Sequence, residues 1–302
     1  MTVCIADLHL REKAPVCRTD NFWKAQEEDF NFVLKYCHDG GHDLLIAGDF
    51  TDTNPPSEYL KRWLILTIKE YRVSIYAIFG QHDTQAHSLK AWDRTGLGVL
   101  DAAGCVQLMF EPTIVSGDTI VPCHFGQPIP HVDAPKDDML YVLIMHKMVV
   151  KSTSERNRTG FKNAISAKEL ADDFDEYFLI LTGDNHEHFK YTNRASGTTV
   201  VNCGSFQLLK ADQINHEPLL FAFDSKRGNF NFVQLPDRRA SISRKHIEKT
   251  KGEDASLEAF IKSVKSQKYS INYKSNIEAF CQVNKTKEGI TDLLLSNMGR
   301  KK

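Results

Sequence analysis

The run Thr2-Val3-Cys4-Ile5-Ala6-Asp7-Leu8-His9 decides how the rest of the chain is read. Its apolar, partly β-branched residues predict a buried strand over Val3–Ala6. The strand then breaks into a carboxylate and an imidazole, with one residue between them. The same design recurs along the chain. Leu44–Ala47 runs into Gly48-Asp49-Phe50-Thr51-Asp52, and Ser74–Phe79 into Gly80-Gln81-His82-Asp83. Tyr141–Met145 runs into His146-Lys147, and Tyr177–Thr182 into Gly183-Asp184-Asn185-His186-Glu187-His188. Thr198–Val201 predicts a further strand.

Between the first three strands lie two helical patterns. Phe22–Cys37 places Phe22, Ala25, Phe30, Val33, Leu34 and Cys37 near one face, and Gly40-Gly41 ends it. Ser57–Tyr71 does the same with Leu60, Leu64 and Ile68, after Pro55-Pro56. Alternating strands and helices predict an α/β body with a buried sheet. From about Thr113 strands dominate, with hairpins expected at Ile114–Val121 and Leu219–Leu235. Two packed β-sheets flanked by helices are therefore expected over residues 1–236. Asp237–Ser256 is polar and reads as a linker. Residues 257–302 read as a small basic segment, with short amphipathic helices at Leu257–Val264, Asn276–Val283 and Ile290–Met298.

Charge divides the chain in the same place. Pro236–Lys302 holds 15 basic and 8 acidic residues, leaving 23 and 31 for the rest. An acidic body suits bound cations and a basic tail suits an anionic partner, although a solvated helical tail has the same composition. Seven scattered cysteines without a C-x-x-C pair argue against a disulfide framework and for a reducing, cytoplasmic compartment. No run of residues is long and apolar enough to span a membrane. The core strand at the start leaves no leader to be cleaved, so a signal peptide is not expected.

Histidine after one strand is usually structural; five such strand ends in order are a set. Mixed carboxylate and imidazole donors suit manganese, iron or zinc, whereas magnesium and calcium prefer all-oxygen sites. Two such ions sharing a carboxylate activate a water and clamp the oxygens of an in-line phosphoryl displacement.

The ordered set resembles the calcineurin-like metallophosphoesterase superfamily, with its D-x-H, G-D-x-x-D, G-N-H-D/E, single His and G-H-x-H loops. The likeness covers about Met1 to Phe206 and includes Asn202-Cys203-Gly204-Ser205 after the last loop. It implies a four-layer sandwich and two divalent ions, Mn2+ foremost, with Mg2+, Fe2+ or Zn2+ as alternatives. By this resemblance Asp7 and His9 hold one ion, Asp49 bridges, and Gln81 and His146 hold the other. His82 assists the leaving oxygen after attack by a metal-bridging hydroxide, and Asp52 orients His82. Asp83 supports its loop. Gln81 departs from the family's asparagine. The last loop has two registers: aligned on Gly183, Asp184 and His186 are ligands; aligned on H-x-H, His186 and His188 are. The glycine register is preferred, because strand end and turn set the backbone.

The layout most resembles the nuclease subunit of SbcCD-type DNA repair complexes, in a compact form such as a virus encodes. That likeness implies DNA as substrate, an SbcC-type ATPase partner and a homodimer. Arg11, Lys147, Arg156 and Arg158 are candidate phosphate contacts, and Phe161 can pack or stack on a base. Lys151–Lys162 reads as a mobile polar stretch. A phosphatase or phosphodiesterase for small molecules or proteins is the alternative, and a non-catalytic scaffold on the same fold a third.

Overall fold

Alternate residues of each central strand serve different layers, and this splits the core into three. The computed structural model describes residues 1–85, 88–132, 140–159, 161, 163–245, 273–286, 290 and 292. The chain divides into two compact units, Met1–Arg244 and Lys245–Lys302. The first is built on two six-stranded sheets. One has the order β14-β13-β1-β2-β3-β4 and the other β11-β12-β10-β7-β6-β5.

In the first sheet β1 (Thr2–Ile5), β2 (Asp43–Ile46), β3 (Ile75–Ala77) and β4 (Gln107–Leu108) run parallel. The antiparallel hairpin β13 (Leu219–Asp224) and β14 (Asn229–Gln234) completes its edge. In the second sheet β6 (Asp118–Cys123), β7 (Tyr141–His146), β10 (Leu179–Gly183) and β12 (Thr199–Asn202) run parallel. Its edges are the antiparallel β5 (Thr113–Val115) and β11 (Phe189–Thr192). A short parallel pair, β8 (Val149–Val150) and β9 (Ile165–Ser166), stands apart.

Val3, Ile5, Leu44, Ile46, Ile75 and Ala77 face the helices α1 (Phe22–Gly40), α2 (Glu58–Tyr71) and α3 (Gly96–Ala102). Their neighbours Cys4, Ala6, Leu45 and Ala47 face the second sheet, meeting Val142, Ile144, Leu179 and Leu181. Leu143, Met145 and Ile180 point to the far side, under α5 (Ala167–Asp173). Because side chains alternate across a strand, a strand buried on both faces needs an unbroken apolar run, and these strands have one. The order helix, sheet, sheet, helix is the expected sandwich.

Helix α1 begins where Asn21 Oδ1 accepts from the Lys24 N–H, and α2 where Ser57 Oγ accepts from the Leu60 N–H at 3.0 Å. Each such cap contributes about 1 kcal/mol. The expected strands and hairpins all form, shifted by a residue or two at their ends. Lys151–Lys162, expected to be mobile, carries α4 (Thr153–Thr159).

Residues 237–244, expected as the start of a linker, belong to the first unit. Arg238 grips Asp29 and Glu28 (Nη2–Oδ1 2.9 Å, Nη2–Oε2 2.7 Å), and the Ser243 N–H donates to the Cys17 carbonyl. Composition does not separate arginines that solvate a linker from arginines that pin one. In the second unit, helix α6 (Tyr273–Val283) covers the expected Asn276–Val283. The expected helix Leu257–Val264 lies outside the described residues, as does Ile290–Met298 apart from Ile290 and Asp292. The seven cysteines are free thiols. Among the described residues no helix is long and apolar enough to cross a membrane.

Candidate metal centre

Parallel strands end on the same side, so the loops after β1, β2 and β3 meet those after β7 and β10. Backbone bonds join them: the Asp7 N–H donates to the Gly48 carbonyl, the His9 N–H to Asp49, and Phe206 N–H to Asp7. Asp7, His9, Asp49 and Asp184 all adopt positive φ, at 50°, 44°, 51° and 83°. Side chains with a Cβ avoid this region, so its concentration here marks strain kept for a purpose. Gly48 (φ 88°) lets the chain turn tightly, in contact with the His146 ring.

The strand ends converge on three overlapping groups of donor atoms: Asp7, His9 and His186; His9, Asp49 and His82; Asp7, Asp49 and His146. His9 and His186 face each other with Nε2 atoms 3.4 Å apart. Asp49 Oδ2 lies 3.7 Å from His9 Nε2 and 3.4 Å from His146 Nε2, is buried, and has no hydrogen-bond partner. His146 Nδ1 donates to the Ala47 carbonyl at 2.7 Å, which leaves Nε2 as the atom facing the cluster. Gln81 Oε1 is 2.9 Å from that Nε2, so its carbonyl end points inward. Its Nε2 donates to Asp184 Oδ1 at 3.0 Å.

The electrostatics are those of a site built around cations. Burial drives Asp7 well above the usual carboxylate range. Burial also pushes His9 down to about 3, and burial with the nearby Lys210 charge pushes His186 down to about 4. Burial opposes ionisation of Asp49, but His146 and then His9 outweigh it and hold its carboxyl at about 2. Against its burial, the Asp49 and Asp7 carboxyls hold His146 up at about 10, so a cation already sits among these donors. Carboxylates and imidazoles aimed at shared points fit divalent ions in its place. The donors present therefore suit the two metals.

Asp184 and His188 occupy different surroundings. The Asp184 N–H donates to both oxygens of Asp7 at 3.1 Å, and its carboxylate accepts from Gln81. His188 instead packs against His216 and Phe232, with ring centroids 5.9 and 6.3 Å away. Asp184 thus touches the cluster through Asp7 and Gln81, while His188 lines the cleft wall. Asn202 shapes this loop from below, donating to the Asn185 and Glu187 carbonyls (2.6 and 2.8 Å).

The expected bond from His82 to Asp52 forms, but through the main chain and not the carboxylate. His82 Nδ1 donates to the Asp52 main-chain carbonyl at 2.7 Å. The carboxylate is drawn to Arg11 (3.1 Å), with His9 Nδ1 at 3.8 Å. Asp83 accepts from the Phe50, Thr51 and Gly80 N–H groups and so ties the second and third loops together. Burial, with Asp49 nearby, pushes its carboxyl up to about 7.

These residues open onto a cleft of about 870 Å³ lined by His9, Arg11, Gln81, His82, His186 and Lys210, among others. Exposed Phe161 also lines it. Of the expected phosphate contacts, Arg11 lines the cleft while paired with Asp52. Arg156 forms a two-pronged pair with Glu169 (2.9 and 3.2 Å). Lys147 lies near Cys123 rather than on the cleft wall. The side chain of Arg158 lies outside the described residues. Lys210 and His216 line the cleft without belonging to any motif; they cap the two ends of a short 3-10 helix, Ala211–Asn215.

Two packed sheets whose parallel strands deliver paired carboxylates and imidazoles to one edge make a candidate centre for divalent metals. Residues 2–150, just under half of the chain, match the model of the calcineurin-like phosphoesterase family. That family binds two divalent metals and hydrolyses phosphoesters. The match stops just after His146; the fold brings His186 into the donor groups from beyond it, with Asp184 bonded to Asp7 and Gln81. No curated protein matches the chain.

Proposed function

We propose that this protein is a two-metal DNA nuclease, hydrolysing phosphodiesters in DNA repair, recombination or degradation. The observation that carries the hydrolytic reading is the buried, unpartnered Asp49 Oδ2 between His9 and His146. Asp7, His9, Asp49 and His186 would hold one ion, and Asp49, Gln81, His146 and Asp184 would hold the other. When bound, manganese or a similar divalent ion supplies charge neutralisation and an activated water.

The chain's own residues do the rest. The Ala47 carbonyl keeps the His146 tautomer that offers Nε2. The Asp52 carbonyl holds His82 through Nδ1, so the proton delivered to a leaving oxygen is carried at Nε2. Support for DNA comes from the wide cleft with Arg11 and Lys210 on its wall, and from the excess of basic residues after Pro236. The likeness to SbcD-type subunits extends the proposal to an ATPase partner and a homodimer.

The test is degradation of end-labelled linear DNA by the full chain with manganese or magnesium, with Asp49→Ala as control. Metal-dependent cleavage that vanishes in the control supports the proposal. Turnover of a small aryl phosphodiester without DNA cleavage moves the assignment to a small-molecule phosphodiesterase.

A further inference from the structure

Resting on the nuclease reading, we infer that Lys210 is a substrate-phosphate contact on the wall of the cleft that holds the metal centre. His82, His9 and His186 form a row of rings, with centroid separations of 4.7 and 5.3 Å. Lys210 lines the same cleft as all three rings. It is exposed. Arg11, the other cleft cation of fixed charge among the described residues, is neutralised by Asp52 at 3.1 Å. Among the described residues Lys210 has no carboxylate at ion-pair distance, although Asp212 lies two positions on.

The loop that carries Lys210 is held from several directions. Buried Arg18 donates to the Leu208 carbonyl at 3.2 Å, and Cys17 Sγ to the Leu209 carbonyl at 3.3 Å. Gln213 Oε1 accepts from both the Leu209 and Lys210 N–H groups, at 2.7 and 2.9 Å. A few residues on, His216 Nε2 donates to the Ser205 carbonyl at 2.7 Å. A solvated surface lysine needs none of this. An unneutralised ammonium on a braced loop, facing a cleft that ends in a phosphoesterase centre, is placed to meet a phosphate without ordering its backbone first.

The experiment is binding of a short fluorescent DNA oligomer to the full chain in EDTA, across a range of salt. Lys210→Ala should weaken binding roughly ten-fold at low salt and make the slope of log K against log salt shallower by about one. Lys210→Arg should restore both, and the thermal midpoint should not move. With metal, Lys210→Ala should raise KM for DNA while kcat changes little. Wild-type-like binding and salt slope in Lys210→Ala, alongside normal DNA cleavage by the parent chain, overturns the role of Lys210 alone. A parent chain that neither binds nor cleaves DNA overturns both this inference and the nuclease proposal.

Discussion

Gly80→Ala is the sharpest test of how the centre is built. Gly80 does not sit in the left-handed region, so its conformational freedom is not what the site uses. A Cβ there would fall 2.1 Å from Asp49 Oδ1, 2.7 Å from its Cγ and 2.4 Å from its backbone nitrogen. Relief to ordinary contact needs a relative shift of about 1 Å, several times the roughly 0.2 Å tolerance of a metal–ligand distance. The backbone nitrogen cannot swing aside as a side chain would. The carboxylate must therefore turn, losing the 2.8 Å bond it accepts from the His82 N–H and its place between His9 and His146. We expect about 1–3 kcal/mol lost from the metal-free fold, the usual cost of overpacking. Metal affinity should fall by roughly 100-fold. Urea denaturation in EDTA gives the first number, and calorimetric titration with manganese the second. A variant that keeps two ions at parental affinity would refute the close packing of Gly80 on Asp49 and with it the bridging role.

Other outcomes follow from the same geometry. Asp49→Ala should lose both ions, measured as metal content after dialysis; two ions retained at normal affinity would remove Asp49 from the bridge. His82→Ala should keep its metal and lose roughly 10²–10⁴-fold in kcat. Asp52→Asn, which preserves the carbonyl holding His82, should cost far less, and an equal loss would show that the carboxylate itself acts on the ring. His124 is buried, accepts the Phe79 N–H at Nδ1, and is pushed down to about 4 by burial. Its unfolded ring takes up a proton near pH 6.5, so its contribution is complete above that pH and is lost as pH falls towards 4. The loss at pH 5 is about 2 kcal/mol relative to pH 7.5, and His124→Asn should flatten that part of the stability profile. Urea curves at the two pH values that lose equally in parent and variant would place the pH dependence elsewhere.

The layers and most of the donor set were legible in the sequence because both follow from local pattern. Apolar runs such as Leu44–Ala47 and Tyr141–Met145 can only be strands buried on both faces, and a break into Asp or His marks where each ends. The parallel sheets then gather Asp7, Asp49, His146 and His186 on one edge without further instruction. What the pattern could not carry was the choice among equivalent polar partners. Asp52 could serve His82 or Arg11, and only the placed chain shows the carboxylate on Arg11 and the carbonyl on His82. Arg156 reads as a phosphate contact until Glu169 is seen beside it, while Lys210 reads as an ordinary loop residue until its brace is seen. The 237–244 segment has a linker's composition, yet Arg238 pins it to α1. Strand period and strand ends are set within a few residues, so the sequence alone determines them. Pairings between charges far apart in the chain depend on which partner lies within a few ångströms, and only the tertiary structure decides that.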